Sequence, residues 1–176
     1  GEWKAKSDAE LGQQIGFSKN GLALGSPELA RWATTALREA TEADAVILNK
    51  GGLRAGLPAG KVTVGDVYGA LPFENSVMVA QLSGADLAKA LKNPEVISDL
   101  TVKNDRVYNA AGKALDPATR YKVATIEFLY YGGDGLALEA ADPEPTHTGM
   151  LWQAPILDWT KAQNTSEREP LEAAIK

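Results

Sequence analysis

Cysteine is absent from this 176-residue chain, and histidine occurs once, as His147. The first absence excludes disulfides and thiolate metal sites, while leaving the compartment open. With one imidazole and no thiol, a transition-metal site would have to be built almost wholly from carboxylates. His147 lies in Pro145-Thr146-His147-Thr148, most simply a surface loop, and no Gly-x-Ser-x-Gly elbow accompanies it to support a serine triad. The phosphate-cradling pattern Gly-x-x-x-x-Gly-Lys-Ser/Thr is missing too. No apolar stretch approaches the roughly 18 to 20 residues of a membrane span, and no signal peptide is recognisable. Clustered positive charge is also lacking. The net charge is −5 with basic residues scattered, which argues against the extended groove that tracks a nucleic-acid polymer.

What remains suits one domain with a substantial core, since compact domains commonly run about 100 to 200 residues. The chain begins Gly1-Glu2-Trp3 without an initiator methionine. The expectation is that an upstream piece has been removed, either a signal peptide or a whole domain, with Gly1 a residue of tag cleavage. There is no internal repeat and no low-complexity stretch.

Residues 1–25 read as an N-terminal extension or linker strand, with a strand around Leu11 to Phe17 and a turn at Ser18-Lys19-Asn20-Gly21. A helix then starts at Ser26, a good N-cap, with Pro27 at the first helical position and Glu28 at the positive helix end. Leu29, Trp32, Ala33, Ala36, Leu37 and Ala40 form its buried stripe. Ala45 to Leu48 reads as a buried strand. Val62 to Val64 and Ser76 to Leu82 are further strands, with Asp66 capping a short helix to Leu71 between them. Ser83 and Asp86 make an Asp version of the capping box for a helix whose inner face carries Leu87 and Leu91, ended by Asn93-Pro94. Leu100 to Val102, Arg106 to Tyr108 and Tyr121 to Phe128 are later strands. Residues 141–149 read as a proline-bearing loop, and 151–163 as a helix that Pro155 delays or kinks. The principal unit thus spans 26–163, followed by a polar tail at 164–176. The mixture favours an α+β fold with a mixed sheet.

Two glycine turns carry polar cargo: Asn49-Lys50-Gly51-Gly52-Leu53-Arg54 after the first buried strand, and Phe128-Leu129-Tyr130-Tyr131-Gly132-Gly133-Asp134-Gly135 far downstream. Glycine pairs tolerate positive φ and let a ligand approach the backbone. Read alone, most such pairs are only turns. Their order, with Leu71-Pro72-Phe73-Glu74-Asn75 between them, carries a resemblance to the C-terminal domain of the 5'-nucleotidase and UDP-sugar hydrolase family. Four blocks match in sequence order: Leu48 to Arg54, Gly65 to Asn75, Leu82 to Leu87 and Ala124 to Gly135. The resemblance covers most of the chain.

It implies roles for particular residues, beside which the plainer readings stand. Phe73 and Phe128 resemble the phenylalanines that sandwich a base in the family; read alone, each is an ordinary core residue. Asp134 resembles the acid that accepts hydrogen bonds from a ribose diol, or it is a turn aspartate. Arg54 resembles the arginine that reaches the substrate phosphate, its guanidinium suited to a bidentate grip, or it is a solvated loop charge. Asn49 and Asn75 match positions that contact substrate or shape the pocket. Gly51, Gly52, Gly132 and Gly133 are the loop glycines.

Some positions depart from the family. Leu29-Ala30-Arg31 replaces Leu-Gly-Asn or Leu-Gly-Arg, and a further family arginine falls near Gly25, so a second phosphate grip is missing unless Arg31 supplies it. The segment 92–100 is short. Tyr130 and Tyr131 replace smaller residues, narrowing the pocket or adding a stacking surface.

The resemblance implies a substrate-recognition domain for a nucleotide, nucleoside or nucleotide sugar. In the family, hydrolysis uses two divalent metal ions held by a separate N-terminal metallophosphoesterase domain, whose metal motifs do not occur here. The expectation is therefore no catalytic residue, no metal and no cofactor in this chain, and no hydrolysis by it alone. A periplasmic or extracellular location is implied by the same resemblance. A degenerate relative serving as a protein-interaction or structural module is the alternative, and an enzyme using Glu127 and Asp134 is a third class.

Overall fold

Residues 7–175 are described by the computed structural model. Helix α1 (Asp8–Leu11) is a single turn closed by a capping box between Ser7 and Glu10. Strand β1 (Gln14–Ser18) follows, then helix α2 (Pro27–Thr41), strand β2 (Ala45–Asn49), strand β3 (Gly60–Thr63) and helix α3 (Val64–Ala70). Strand β4 (Ser76–Ser83), helix α4 (Gly84–Ala90), strand β5 (Val96–Ser98) and the hairpin of β6 (Thr101–Lys103) and β7 (Arg106–Tyr108) come next. The chain continues through β8 (Arg120–Ile126), α5 (Glu127–Tyr130), α6 (Leu138–Ala141), β9 (Thr146–Leu151), α7 (Gln153–Ala162) and α8 (Leu171–Ala174).

The architecture is α+β around a mixed five-stranded sheet of order β5-β2-β8-β4-β9. Only β2 and β8 run parallel; the other neighbours are antiparallel. Strand β2 is buried along its whole length, as its uninterrupted apolar run requires. Helix α2 lays Leu29, Trp32, Ala33, Ala36 and Leu37 into the core and contacts both β2 and α7. The indole N–H of Trp32 donates to Thr160 Oγ1 at 2.9 Å, so the largest buried side chain of α2 is satisfied inside the core.

Local chemistry sets the helix starts. Ser26 accepts from the Leu29 N–H at 3.2 Å, and Ser83 and Asp86 close the expected box on α4. At α3 the N-cap residue is Thr63, and Asp66, three residues on, caps from inside the helix by accepting from the Thr63 N–H at 2.8 Å. The 103–106 hairpin turn places Asn104 at φ 50° and Asp105 at φ 60°. That is the left-handed pair a two-residue hairpin with right-handed strand twist demands.

Four sequence expectations change. The first strand is Gln14–Ser18 rather than 11–17, because 8–11 closes as a helical turn. Strand β8 ends at Ile126, where its buried run ends, and residue 128 lies on a helical turn instead of a strand end. Residues 146–149, expected within a loop at 141–149, and Leu151, expected to start the last helix, belong to the edge strand β9. Pro143 and Pro145 precede the paired residues, and one edge strand of polar composition needs a ladder on one side only. Helix α7 starts at Gln153, with Pro155 in its first turn, where no helical hydrogen bond is lost.

Strand β1 pairs with β3 outside the main sheet, and Ile15 and Leu22 are buried in the core. At the other end of the chain Leu171 is fully buried. The Glu172 carboxylate accepts from the Ser18 hydroxyl and from the N–H groups of Lys19 (3.0 Å) and Asn20 (3.1 Å). The residues on either side of 26–163 therefore meet each other. Burial alone would raise the Glu172 carboxyl, but these hydrogen bonds outweigh it and hold it below its ordinary value.

Candidate functional site

The two glycine turns, more than 80 positions apart in the chain, meet through one side-chain hydrogen bond. Asn49 ends β2 and is 6% exposed. Its Nδ2 donates to Asp134 Oδ2 at 3.0 Å. The other amide atom, Oδ1, is buried with no hydrogen-bond donor among the described residues, so Nδ2 alone commits the amide. Asp134 adopts φ 55°, ψ 20° in a short 3₁₀ turn, between Gly132 at φ 100° and Gly135 at φ 78°. Aspartate tolerates this left-handed region better than most side chains, which is a physical reason for Asp among glycines here.

The first turn is closed by packing. A Cβ on Gly52 would lie 2.8 Å from the Trp152 ring and 2.8 Å from Asn49 Oδ1. Trp152 also reaches the intervening motif: its indole N–H donates to the Phe73 carbonyl at 2.8 Å, and its backbone N–H to the Asn75 carbonyl at 2.8 Å. Gln153 Nε2 donates to the carbonyls of Leu71 and Phe73, each at 2.8 Å. The Leu71–Asn75 loop is thus held by its backbone, and Phe73 as a residue is 48% exposed.

An open cleft of about 520 Å³ is lined by Glu74, Asn75, Glu127, Phe128, Tyr131, Gly132 and Gly133. Phe128 is 49% exposed. Its ring and carbonyl lie against Gly133, where a Cβ would come within 2.4 Å of the carbonyl oxygen and 2.6 Å of Cδ1. Tyr131 stands edge-on to Tyr130, with ring centroids 4.8 Å apart at 84°. Tyr130 is buried, and its hydroxyl donates to the Asp142 carbonyl at 2.6 Å. Burial, and then the nearby Glu139 and Asp142 carboxylates, push its phenol up and keep it protonated as that donor.

The sequence candidates therefore divide. Asn49, Asp134, Gly51 and Gly52 meet at the joined turns, and Asn75, Phe128, Gly132 and Gly133 line the adjacent cleft, while Phe73 adjoins that lining. Arg54 is exposed; its N–H donates to the Ala70 carbonyl at 2.9 Å, and its guanidinium makes no ion pair among the described residues. Arg31 lies on the exposed face of α2, 3.5 Å from Glu28. Trp152, Gln153 and Asn93 were missed. Trp152 and Gln153 sit in a stretch that reads only as helix, and Asn93 before Pro94 reads only as a helix stop. Among the described residues no group of three or more His, Cys, Asp or Glu side chains is placed to hold a metal ion.

The family model described as "5'-nucleotidase, C-terminal domain" matches residues 6–141. The chain belongs to the 5'-nucleotidase C-terminal domain family. It is 29% identical to the Protein UshA of Yersinia enterocolitica over 97% of this chain and 33% of that protein. It is 27% identical to the Protein UshA of Escherichia coli over 83% of this chain and 30% of that one. The chain thus spans about a third of the length of these curated relatives. Among solved structures, the 5'-nucleotidase precursor of Thermus thermophilus superimposes with a TM-score of 0.75 at 24% identity, over 90% of this chain and 38% of that one. The Haemophilus influenzae NAD nucleotidase gives 0.72 at 20% identity, over 90% and 37%. These superpositions carry the fold.

Proposed function

We propose that this chain is the substrate-recognition domain of a 5'-nucleotidase-type hydrolase, binding a nucleotide, nucleoside or nucleotide sugar. The observation that carries the reading is the Asn49–Asp134 hydrogen bond, which makes one site of two distant glycine turns. In this reading Asp134 accepts the ribose diol through the lone pairs that Asn49 leaves free. The half-exposed rings of Phe73 and Phe128 stack on the base, each such contact contributing roughly 1 to 3 kcal/mol. Asn75 borders the same cleft and addresses the base edge. Arg54, which makes no ion pair with a carboxylate among the described residues, meets the phosphate. Arg31 is a weaker phosphate candidate because Glu28 already stands beside it.

Hydrolysis needs groups that activate water and stabilise the leaving oxygen. In this reading they belong to a metal-bearing partner domain, so the chain alone binds without turnover. A periplasmic or extracellular setting belongs to the same proposal. No helix among the described residues is long and apolar enough to cross a membrane.

Arg54→Ala, titrated by calorimetry, tests the assignment. A charge-assisted hydrogen bond contributes roughly 1.5 to 3 kcal/mol, so a nucleoside monophosphate should bind about tenfold or more weakly, with the parent nucleoside unchanged. Equal loss for both ligands removes Arg54 from the phosphate. Absence of binding by any nucleotide or nucleoside at millimolar concentration sinks the recognition reading and favours a protein-interaction module.

A further inference from the structure

Asn93 lies in the turn between α4 and β5, outside every motif that pointed to the site. Its Nδ2 donates to the main-chain carbonyl of Asp134 at 2.7 Å. Its Oδ1 accepts from the Glu95 N–H at 2.9 Å. The Glu95 carbonyl accepts from the Lys50 N–H at 2.8 Å. Lys50 is bonded to Asn49, and Asn49 donates to the Asp134 carboxylate at 3.0 Å. The path closes on itself: Asp134, Asn93, Glu95, Lys50, Asn49 and back to Asp134.

We propose that Asn93 is a positioning residue that, through this closed ring of hydrogen bonds, fixes the Asp134 carboxylate relative to the Gly51–Arg54 turn. The physical need is specific. Asp134 is a non-glycine residue held at positive φ in a turn without a buried residue, flanked by Gly132 and Gly135, also at positive φ. A carboxylate on such a turn has many orientations unless both its side chain and its carbonyl are held. Asn49 holds the first and Asn93 the second. Asn93 suits the task because one amide supplies both the donor to Asp134 and the acceptor for Glu95. The ring also ties Asp134 to Asn49 and Lys50, where the first glycine turn begins. Preorganisation of this kind lowers the ordering cost of binding. The ligand-facing consequence rests on the proposed function; the ring itself does not.

Asn93→Asp is the informative variant. It keeps an acceptor for the Glu95 N–H, loses the donor to Asp134 and sits at a partly exposed position, so the fold should be retained. Losing one hydrogen bond corresponds to about a two- to tenfold effect. Asn93→Asp should therefore weaken a ribonucleoside by that factor and a 2',3'-dideoxyribonucleoside far less. In an Asp134→Ala background it should cause no further loss of ribonucleoside affinity, because coupled residues are non-additive. The amide signals of Gly133 to Gly135 in NMR spectra of the ligand-free chain should shift or broaden, and their hydrogen exchange should quicken. Equal weakening of both nucleosides, or full additivity with Asp134→Ala, overturns the positioning role. If the unmodified chain binds neither nucleoside, the recognition reading has failed and the Gly133–Gly135 amides decide alone. Signals unchanged by Asn93→Asp then overturn the inference, and perturbed signals support it.

Discussion

The two glycine turns reach the same place by opposite physical means. The turn after β2 follows a strand buried along its whole length, and its second glycine is pressed between the Trp152 ring and Asn49. The turn after α5 has no buried residue in its 133–135 segment. It owes its shape to positive φ at Gly132, Asp134 and Gly135 and to hydrogen bonds from Asn49 and Asn93. One turn is set by the core; the other borrows rigidity from neighbours. Substitutions in the first should therefore appear mainly as lost stability, and those in the second mainly as lost recognition.

Glu172→Ala probes a third turn that borrows its rigidity, at Ser18–Asn20, and serves as a control away from the site. Removing the acceptor strands the buried Ser18 hydroxyl and hands two exposed N–H groups to water, so the expected loss is about 1.5 to 3 kcal/mol in urea unfolding, with nucleoside affinity unchanged. Its pH dependence has a definite sign. The folded carboxyl lies below its ordinary value. Its contribution is therefore full above the unfolded pKa and is lost as pH falls through the folded pKa. The stability gap between the unmodified chain and Glu172→Gln should shrink on acidification; a gap that grows contradicts the hydrogen-bonded carboxylate.

Gly52→Ala should cost about 1 to 3 kcal/mol by overpacking, because its new methyl meets the ring of the fully buried Trp152. Gly133→Ala is the smaller of the pair in global stability. Its clash is local, with the ring and carbonyl of half-exposed Phe128, and that segment can open without the core. Its larger expression should be a shifted Phe128 ring resonance and weaker base stacking. Equal stability losses for the two alanine variants, in parallel denaturation curves, would erase the distinction between the turns.

The same contrast explains how much was legible in the amino-acid sequence. Strand β2, helix α2 and the Ser83–Asp86 box were readable because each is specified locally, by an unbroken apolar run, a 3.6-residue stripe or a cap three residues from its partner. Strand β9 was hidden because 146–151 lacks an apolar pattern and follows two prolines; only its pairing with β4 makes it a strand. The residues of both glycine turns were visible as motifs and suggested one assembled site, yet the Asn49–Asp134 bond that joins them was not. Asn93, Trp152 and Gln153 act through backbone atoms of distant loops, and no periodicity or spacing marks a side chain for such a bond. The placement of residue 128 on a helical turn, rather than a strand end, likewise depends on where the buried run of β8 stops.

The most direct test is a calorimetric titration of Asp134→Ala with a ribonucleoside and its 2',3'-dideoxy counterpart. Both ligands share the base, so loss of stacking or of folding affects them alike. A carboxylate that holds the ribose diol corresponds to roughly 1.5 to 3 kcal/mol, about tenfold or somewhat more in affinity. The expected result is that loss for the ribonucleoside and little change for the dideoxyribonucleoside. Equal losses for the two, or no binding of either to the unmodified chain at millimolar concentration, would contradict the account.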